Sequence, residues 1–365
     1  MSRRTPRTAG VAIAAVGVAA VLATSGPTIP ASANVGASAP GGTALANDVV
    51  TYSLGSTPSE MQRIAAYWTP ERLRQASTYV PSTKPSPSTR STPSIAEVTA
   101  RTTATPEKKK AKKKGPAQPP MVGKVFFKLG DKEYWCSGSV VHSKNRNLVA
   151  TAGHCGYSLS QGRPVENWIF IPSYADGRAD AGIYVGHTLY LHLDYQGKGD
   201  FDRDYAFVTV NPGYVWKTTG GKYQRADAGR LEDRVGAFRF AATKSTSLAV
   251  NVFGYPAGAH PDGSRPYDGQ SVRTCSGVTD RKFVTAPTYL LSHGVLLRSC
   301  GFTAGASGGP WVLSYNPAKR TGYLNGVTSL TWNVNADGRL DAISTPYFNA
   351  ITQRVYAEAA KQSTG

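Results

Sequence analysis

"LVATAGHC", residues 148–155, sets an apolar run against a turn that ends on a histidine and a cysteine. Leu148, Val149 and Ala150 read as a short buried strand, and Ala152-Gly153 breaks it. The chain has only six histidines and four cysteines. Placing one of each at a strand end gives the histidine a loop that a disulfide can fix.

The surroundings of this stretch repeat its texture. From Met121 onward, short strands are predicted at 122–127, 133–141, 147–151, 168–171, 182–191 and 204–210. A second set follows at 235–240, 248–254, 270–275, 289–298, 310–314 and 322–331. Turn residues separate them and no long helical period intervenes, which argues for two antiparallel barrels or sandwiches. Helical spacing appears only at the end, in Phe348, Ile351, Thr352, Val355, Tyr356 and Ala359. Ser344 and Thr345 are candidate caps and Pro346 the helix start. This amphipathic helix, about 346–362, is expected to pack across the second barrel.

Upstream, the composition changes. Net charge is +18 over 365 residues, and residues 1–120 carry 15 Lys and Arg against 5 Asp and Glu. Over half of the excess charge thus lies in one third of the chain. Arg3, Arg4 and Arg7, the small apolar run 10–23 and the sequence Ala31-Ser32-Ala33 predict a secretory signal peptide over 1–33, and hence a secreted, extracellular protein. Residues 34–120 are expected to be a pro-segment followed by a largely disordered Pro/Ser/Thr/Lys-rich linker. Two short helical stretches are read within it, one from Ser59 and one capped by Thr69 with Pro70 first. The lysines from Lys108 to Lys114 suit weak attachment to an anionic surface, with no nucleic-acid specificity.

Export makes the cysteines interpretable. Cys136, Cys155, Cys275 and Cys300 have no C-x-x-C spacing, so a zinc site is not expected. An even count in an oxidising compartment predicts two disulfides, for which the sequence permits three pairings. Pairing of neighbours, Cys136 with Cys155 and Cys275 with Cys300, is the expectation, each closing a loop that contributes about 3 kcal/mol.

"GASGGP" (305–310) places Ser307 among glycines, whose backbone can turn sharply and aim amide groups inward together. The pattern also fits the G-x-S-x-G elbow of α/β-hydrolases. That fold needs its histidine after the serine, however, and the last histidine here is His293. A serine hydroxyl needs a base, and the base an orienting acid. His154 is the candidate base. "FDRDYAFVTV" (201–210) offers Asp202 and Asp204, and Asp204 adjoins the apolar strand and so lies nearer the core.

In the order His–Asp–Ser, "TAGHC", "DYAF" and "GASGGP" resemble the chymotrypsin-like (trypsin-like) serine proteases. "GKVFF", "CSGSVV", "NLVATAGHC", "GYPA" and "SGGPWV" look more closely like the secreted bacterial glutamyl-endopeptidase-like (V8-like) branch. The resemblance covers roughly residues 121–362, and "YWTPERL" (67–73) resembles pro-segments that precede such domains in exported actinobacterial proteins. It implies an all-β fold of two six-stranded antiparallel β-barrels, about 121–234 and 235–345, followed by the C-terminal helix. The site would lie between the barrels: His154, Asp204 and Ser307 catalytic, the N–H groups of Gly305 and Ser307 as oxyanion hole, and Thr328, Ser329 and Leu330 pairing with substrate backbone, with Ser329 also supporting the aspartate. No metal or organic cofactor is implied. The implied activity is that of a monomeric zymogen-derived endopeptidase acting on proteins or peptides; the rival is an inactive homologue that binds through the same cleft.

Two departures stand out. Ala306 replaces the acid that receives the new N-terminus in the animal enzymes, so any control by the pro-segment must be steric or folding-based. No acid occurs in "GFTAGA" (301–306), so a Lys or Arg preference at P1 is unsupported, while nearby cations such as Arg298 would permit an acidic side chain.

Overall fold

Strand pairing closes a ring of six strands around the apolar residues of the 122–210 region, and the chain reaches that ring through an upstream segment. The computed structural model describes residues 42–45, 48–79, 118–220 and 222–363. The expected signal peptide and the lysine run lie outside these residues.

Strands β1 (Gly42–Leu45) and β2 (Val49–Ser53) pair antiparallel. Helix α1 (Pro58–Tyr67) opens with a capping box in which Thr57 and Glu60 exchange hydrogen bonds. Helix α2 (Pro70–Gln75) starts from Thr69 with Pro70 first, as the sequence predicts. A two-residue strand, β3 (Ser77–Thr78), follows. Val49, Tyr52, Ile64, Trp68 and Leu73 are buried in the same cluster as the core of the ring. This part of the expected pro-segment therefore folds onto its neighbour. Its apolar residues are too sparse to form a core alone, but they complement an existing surface.

The ring consists of β4 (Val122–Leu129), β5 (Lys132–Val141), β6 (Leu148–Thr151), β7 (Glu166–Pro172), β8 (Tyr184–His192) and β9 (Ala206–Val210). The order is β4-β5-β6-β9-β8-β7, and β7 pairs back to β4, so no edge remains. A bulge between Gly186 and Thr188 lets β8 pair with β7 before it and with β2 after it. A separate hairpin, β10 (Gly213–Thr219) and β11 (Lys222–Gly229), was not anticipated from the sequence.

The second half has β12 (Ala249–Gly254), β13 (Arg273–Val278), β14 (Val284–Ala286), β15 (Leu291–Arg298), β16 (Pro310–Asn316), β17 (Thr321–Val327), β18 (Leu330–Trp332) and β19 (Ala342–Pro346). These form two sheets, β17-β16-β12-β13, with Arg239–Phe240 parallel to β17, and β14-β15-β19-β18. The expectation of two closed six-stranded barrels is thus corrected: the second is a half-barrel with two seams. At one seam Val327 N–H donates to Thr345 Oγ1 at 2.9 Å, so a side chain takes the place of a ladder bond. At the other, Asp280 N–H reaches Leu296 O and the Cys275–Cys300 disulfide joins the sheets.

Helix α3 (Ala350–Lys361) is capped by Asn349, whose side chain accepts from Ile351 N–H and Thr352 N–H. Ser344 to Pro346, expected as cap and helix start, belong instead to β19. The helix packs on β8 and β9 of the first barrel and on β2 of the upstream segment, not across the second. Tyr356 is the anchor. Its ring stacks on Phe240 at 4.2 Å, meets Phe207 at 5.6 Å, and its hydroxyl donates to His142 O. Helical spacing identifies the apolar face but carries no information about what that face covers.

Candidate active site

The end of β6 fixes His154. The strand breaks into a single 3-10 turn, Gly153–Cys155, and Cys155 is bonded to Cys136 of β5. Cys275 is bonded to Cys300, so the neighbour pairing holds for both. The first disulfide consumes both thiols beside His154, leaving no thiolate there for a metal.

Asp204 follows the turn Phe201–Arg203 and is fully buried. Its Oδ1 accepts from His154 N–H at 2.8 Å and its Oδ2 from His154 Nδ1 at 2.9 Å. Ser329 Oγ, from the second half, donates to Oδ2 at 2.5 Å. Asp202 faces elsewhere, accepting from Ser292 N–H, His293 N–H and His293 Nδ1. It holds the start of β15 and has no part in the cleft.

Ser307 sits in the loop before β16, wedged between the halves. Ser137 of β5 donates its N–H to Ser307 O at 2.7 Å and its hydroxyl to Gly305 O at 2.8 Å. From the other side Gly308 N–H donates to Thr328 O, and Thr328 N–H to Gly309 O. Gly308 has φ +78°, and a Cβ there would stand 2.1 Å from Thr151 Oγ1 and 2.3 Å from Ser137 O. Only glycine lets the Ser307 loop press against the strand end that leads to His154. Gly305 has φ +98°, and among the described residues neither its N–H nor that of Ser307 has a hydrogen-bond acceptor. Ala306, in the position of the missing acid, is fully buried against Gly254 in an apolar cluster.

The imidazole of His154 lies between the rings of Phe201, 6.4 Å away, and Tyr79, 6.0 Å away. Its Nε2 is buried and has no hydrogen-bond partner among the described residues. A cavity of about 500 Å³ opens in front of Ser307, lined among others by Ser329, Leu330, Trp332, His260 and Tyr79. No carboxylate lines it among the described residues. Among the described residues strand β18 pairs only with β19, which leaves one row of its backbone groups for another chain. Ser329, Leu330, Thr331 and Trp332 line the cavity. Thr328 is buried outside this lining, and its hydroxyl accepts from Trp311 Nε1. Arg298 is also outside the cavity, paired with Asp280 at 2.9 Å.

Tyr79 and His260 were not legible as site residues. Each comes from a segment that only the folded chain brings to the cleft. His260 is buried, and its Nδ1 accepts from Leu340 N–H at 2.9 Å. A neutral imidazole that accepts at Nδ1 carries its proton on Nε2.

The His154–Asp204 pair and the Ser307 loop thus both lie where the two β-halves join. The chain belongs to the trypsin family, whose model matches residues 110–352, and it is a serine endopeptidase. Among solved structures it is similar to the protease Anisep from Arthrobacter nicotinovorans, at 29% identity and a TM-score of 0.53, over 67% of this chain and 98% of that one. It is equally similar to AL20, a thermostable serine protease from an extremophilic microorganism, at 29% identity and 0.53, over 67% and 99%. A Glu endopeptidase is more distant, at 16% identity and 0.46. No curated protein matches the chain.

Proposed function

We propose that the chain is the precursor of a secreted serine endopeptidase in which Ser307 is the nucleophile, His154 the base and Asp204 the group that orients it. The observation that carries this reading is the division of labour at His154. Its Nδ1–H is committed to Asp204, which leaves the Nε2 lone pair for the Ser307 proton. The Nε2–Oγ hydrogen bond is not made here, and such bonds often tighten only when substrate is bound. Ser307 Oγ attacks the scissile carbonyl while Nε2 takes its proton. The N–H groups of Gly305 and Ser307 meet the oxyanion, and Nε2 returns the proton to the leaving amine. Water then repeats the sequence on the acyl-enzyme.

Substrate residues before the scissile bond add to the edge of β18, and the P1 side chain enters the cavity. The absence of a carboxylate from its described lining disfavours Lys and Arg. The Nε2–H of His260 favours a P1 side chain that ends in a hydrogen-bond acceptor. Together with the sequence motifs, this supports a place in the glutamyl-endopeptidase-like branch. Export is supported by the sequence of residues 1–33.

The test is covalent labelling. A serine-directed phosphonate is expected to modify the wild-type protein at Ser307 and to spare Ser307→Ala, which folds with the same thermal midpoint. Undiminished peptidase activity in Ser307→Ala rejects the assignment.

A further inference from the structure

The upstream chain reaches the cleft at residues 77–79 with a definite chain direction. Strand β3 pairs in parallel with β5, Ser77 opposite Tyr134 and Thr78 opposite Trp135. Along β5, Ser137 touches the Ser307 loop, and Trp135 and Tyr134 lie successively farther back. The upstream chain therefore runs towards the nucleophile as its numbering rises. In a substrate, the residues after the scissile bond must run away from Ser307. On this side of the cleft they would lie antiparallel to β5. The segment 77–79 occupies the same strip with the opposite polarity.

Its side chains fill the strip. Thr78 Cγ2 is 3.0 Å from the point where a Cβ on Gly305 would stand. Tyr79 is buried, with its ring 5.3 Å from those of both Phe127 and Tyr134 and stacked beside His154. The base of the segment is anchored. Trp68 is fully buried and its Nε1 donates to Asn167 O. Tyr67 and Arg72 both bind Glu133, at 2.7 and 2.6 Å, one residue before the paired stretch of β5.

We propose that residues 77–79 are an inhibitory strap. They cover the leaving-group side of the cleft in reverse, with Tyr79 as the plug, so that the precursor masks Ser307 and presents no scissile bond there. This rests on Ser307 being the nucleophile and adds how access to it is controlled. Because Ala306 excludes activation through a buried ion pair, removal of the strap is the activating event. Strand pairing and Trp68 hold the strap independently of the linker, so it stays in place when the linker is cut.

The experiment compares the full chain with its Tyr79→Ala and Tyr79→Phe variants, each shown to be folded by thermal unfolding. The readout is the rate at which the phosphonate labels Ser307. Loss of a buried aromatic anchor is expected to speed labelling roughly tenfold or more in Tyr79→Ala, while Tyr79→Phe, which keeps the ring, labels as slowly as the parent. Tyr79→Val serves if the alanine variant does not fold. Equal, rapid labelling of parent and variant overturns the strap and leaves the nucleophile standing. No labelling of any chain overturns the nucleophile, and the strap with it. Peptide mapping of the activated protein is a second readout: a self-inflicted cut within 77–79 also overturns the reversed polarity.

Discussion

Ser329 and His154 hold the same carboxylate oxygen: Asp204 Oδ2 accepts from Ser329 Oγ at 2.5 Å and from His154 Nδ1 at 2.9 Å. The first bond comes from the half-barrel and the second from the closed barrel, so the aspartate ties the halves together where the imidazole must be aimed. Asp204→Asn puts an amide in place of the acceptor and is expected to lower kcat about ten-thousandfold. Ser329→Ala removes one of three donors and is expected to cost about tenfold, mainly in kcat. Steady-state kinetics on a peptide substrate separates the two; a Ser329→Ala enzyme with unchanged kcat would show that this bond does not bear on the aim of His154.

Gly308 is where backbone conformation and close approach coincide. At φ +78° an alanine is strained by about 1–3 kcal/mol, before counting the Cβ placed 2.1 Å from Thr151 Oγ1. Gly308→Ala is expected to lower the thermal midpoint by about 5 °C or more and to abolish phosphonate labelling. A variant with wild-type stability and activity would mean that the loop does not need to press on the end of β6.

Lys124 links pH to stability. It is buried against the faces of Trp135 and Tyr174, 3.9 and 4.3 Å from its Nζ, and burial lowers its pKa from 10.5 to about 7, with Asp268 opposing. Between these two values the unfolded chain holds a proton that the folded chain does not. The destabilisation from Lys124 is therefore full below pH 7 and fades as pH rises towards 10.5. Lys124→Met is expected to raise the denaturation midpoint at pH 6 and to lose most of that advantage by pH 10. A gain that does not vary with pH would show that the lysine does not titrate in this window.

How much of this was legible depended on whether a signal was local. "TAGHC" and "GASGGP" place a functional group and its supporting turn within a few residues, so His154 and Ser307 stand out as candidates. Asp204 was separable from Asp202 because the apolar strand begins at its shoulder, and burial follows that strand. Ser344, Thr345 and Pro346 misled, since cap-forming residues also fit a buried strand when their neighbours supply the ladder. The open seams were invisible, because a threonine side chain standing in for a strand leaves no periodic trace. Tyr79 and His260 reach the cleft only through folding: one is carried by a segment anchored on Glu133 and Asn167, the other is held by the amide of Leu340.

With P1 placed in the cavity as proposed, the Leu340 amide gives His260 a testable part in recognition. Leu340 N–H donates to Nδ1, so in the neutral ring the proton sits on Nε2. In a cavity without a described carboxylate, a donor at this point rewards a P1 carboxylate or amide oxygen and does nothing for an alkyl chain. A mixed peptide library is therefore expected to show Glu or Gln preferred over Lys or Arg at P1. His260→Leu is expected to lower kcat/KM for the acceptor-bearing substrates about tenfold or more, with little change for apolar ones, because only the former leave a buried polar group unpaired. A library in which Lys and Arg dominate, or a His260→Leu variant that loses all substrates equally, would remove His260 from the recognition of P1.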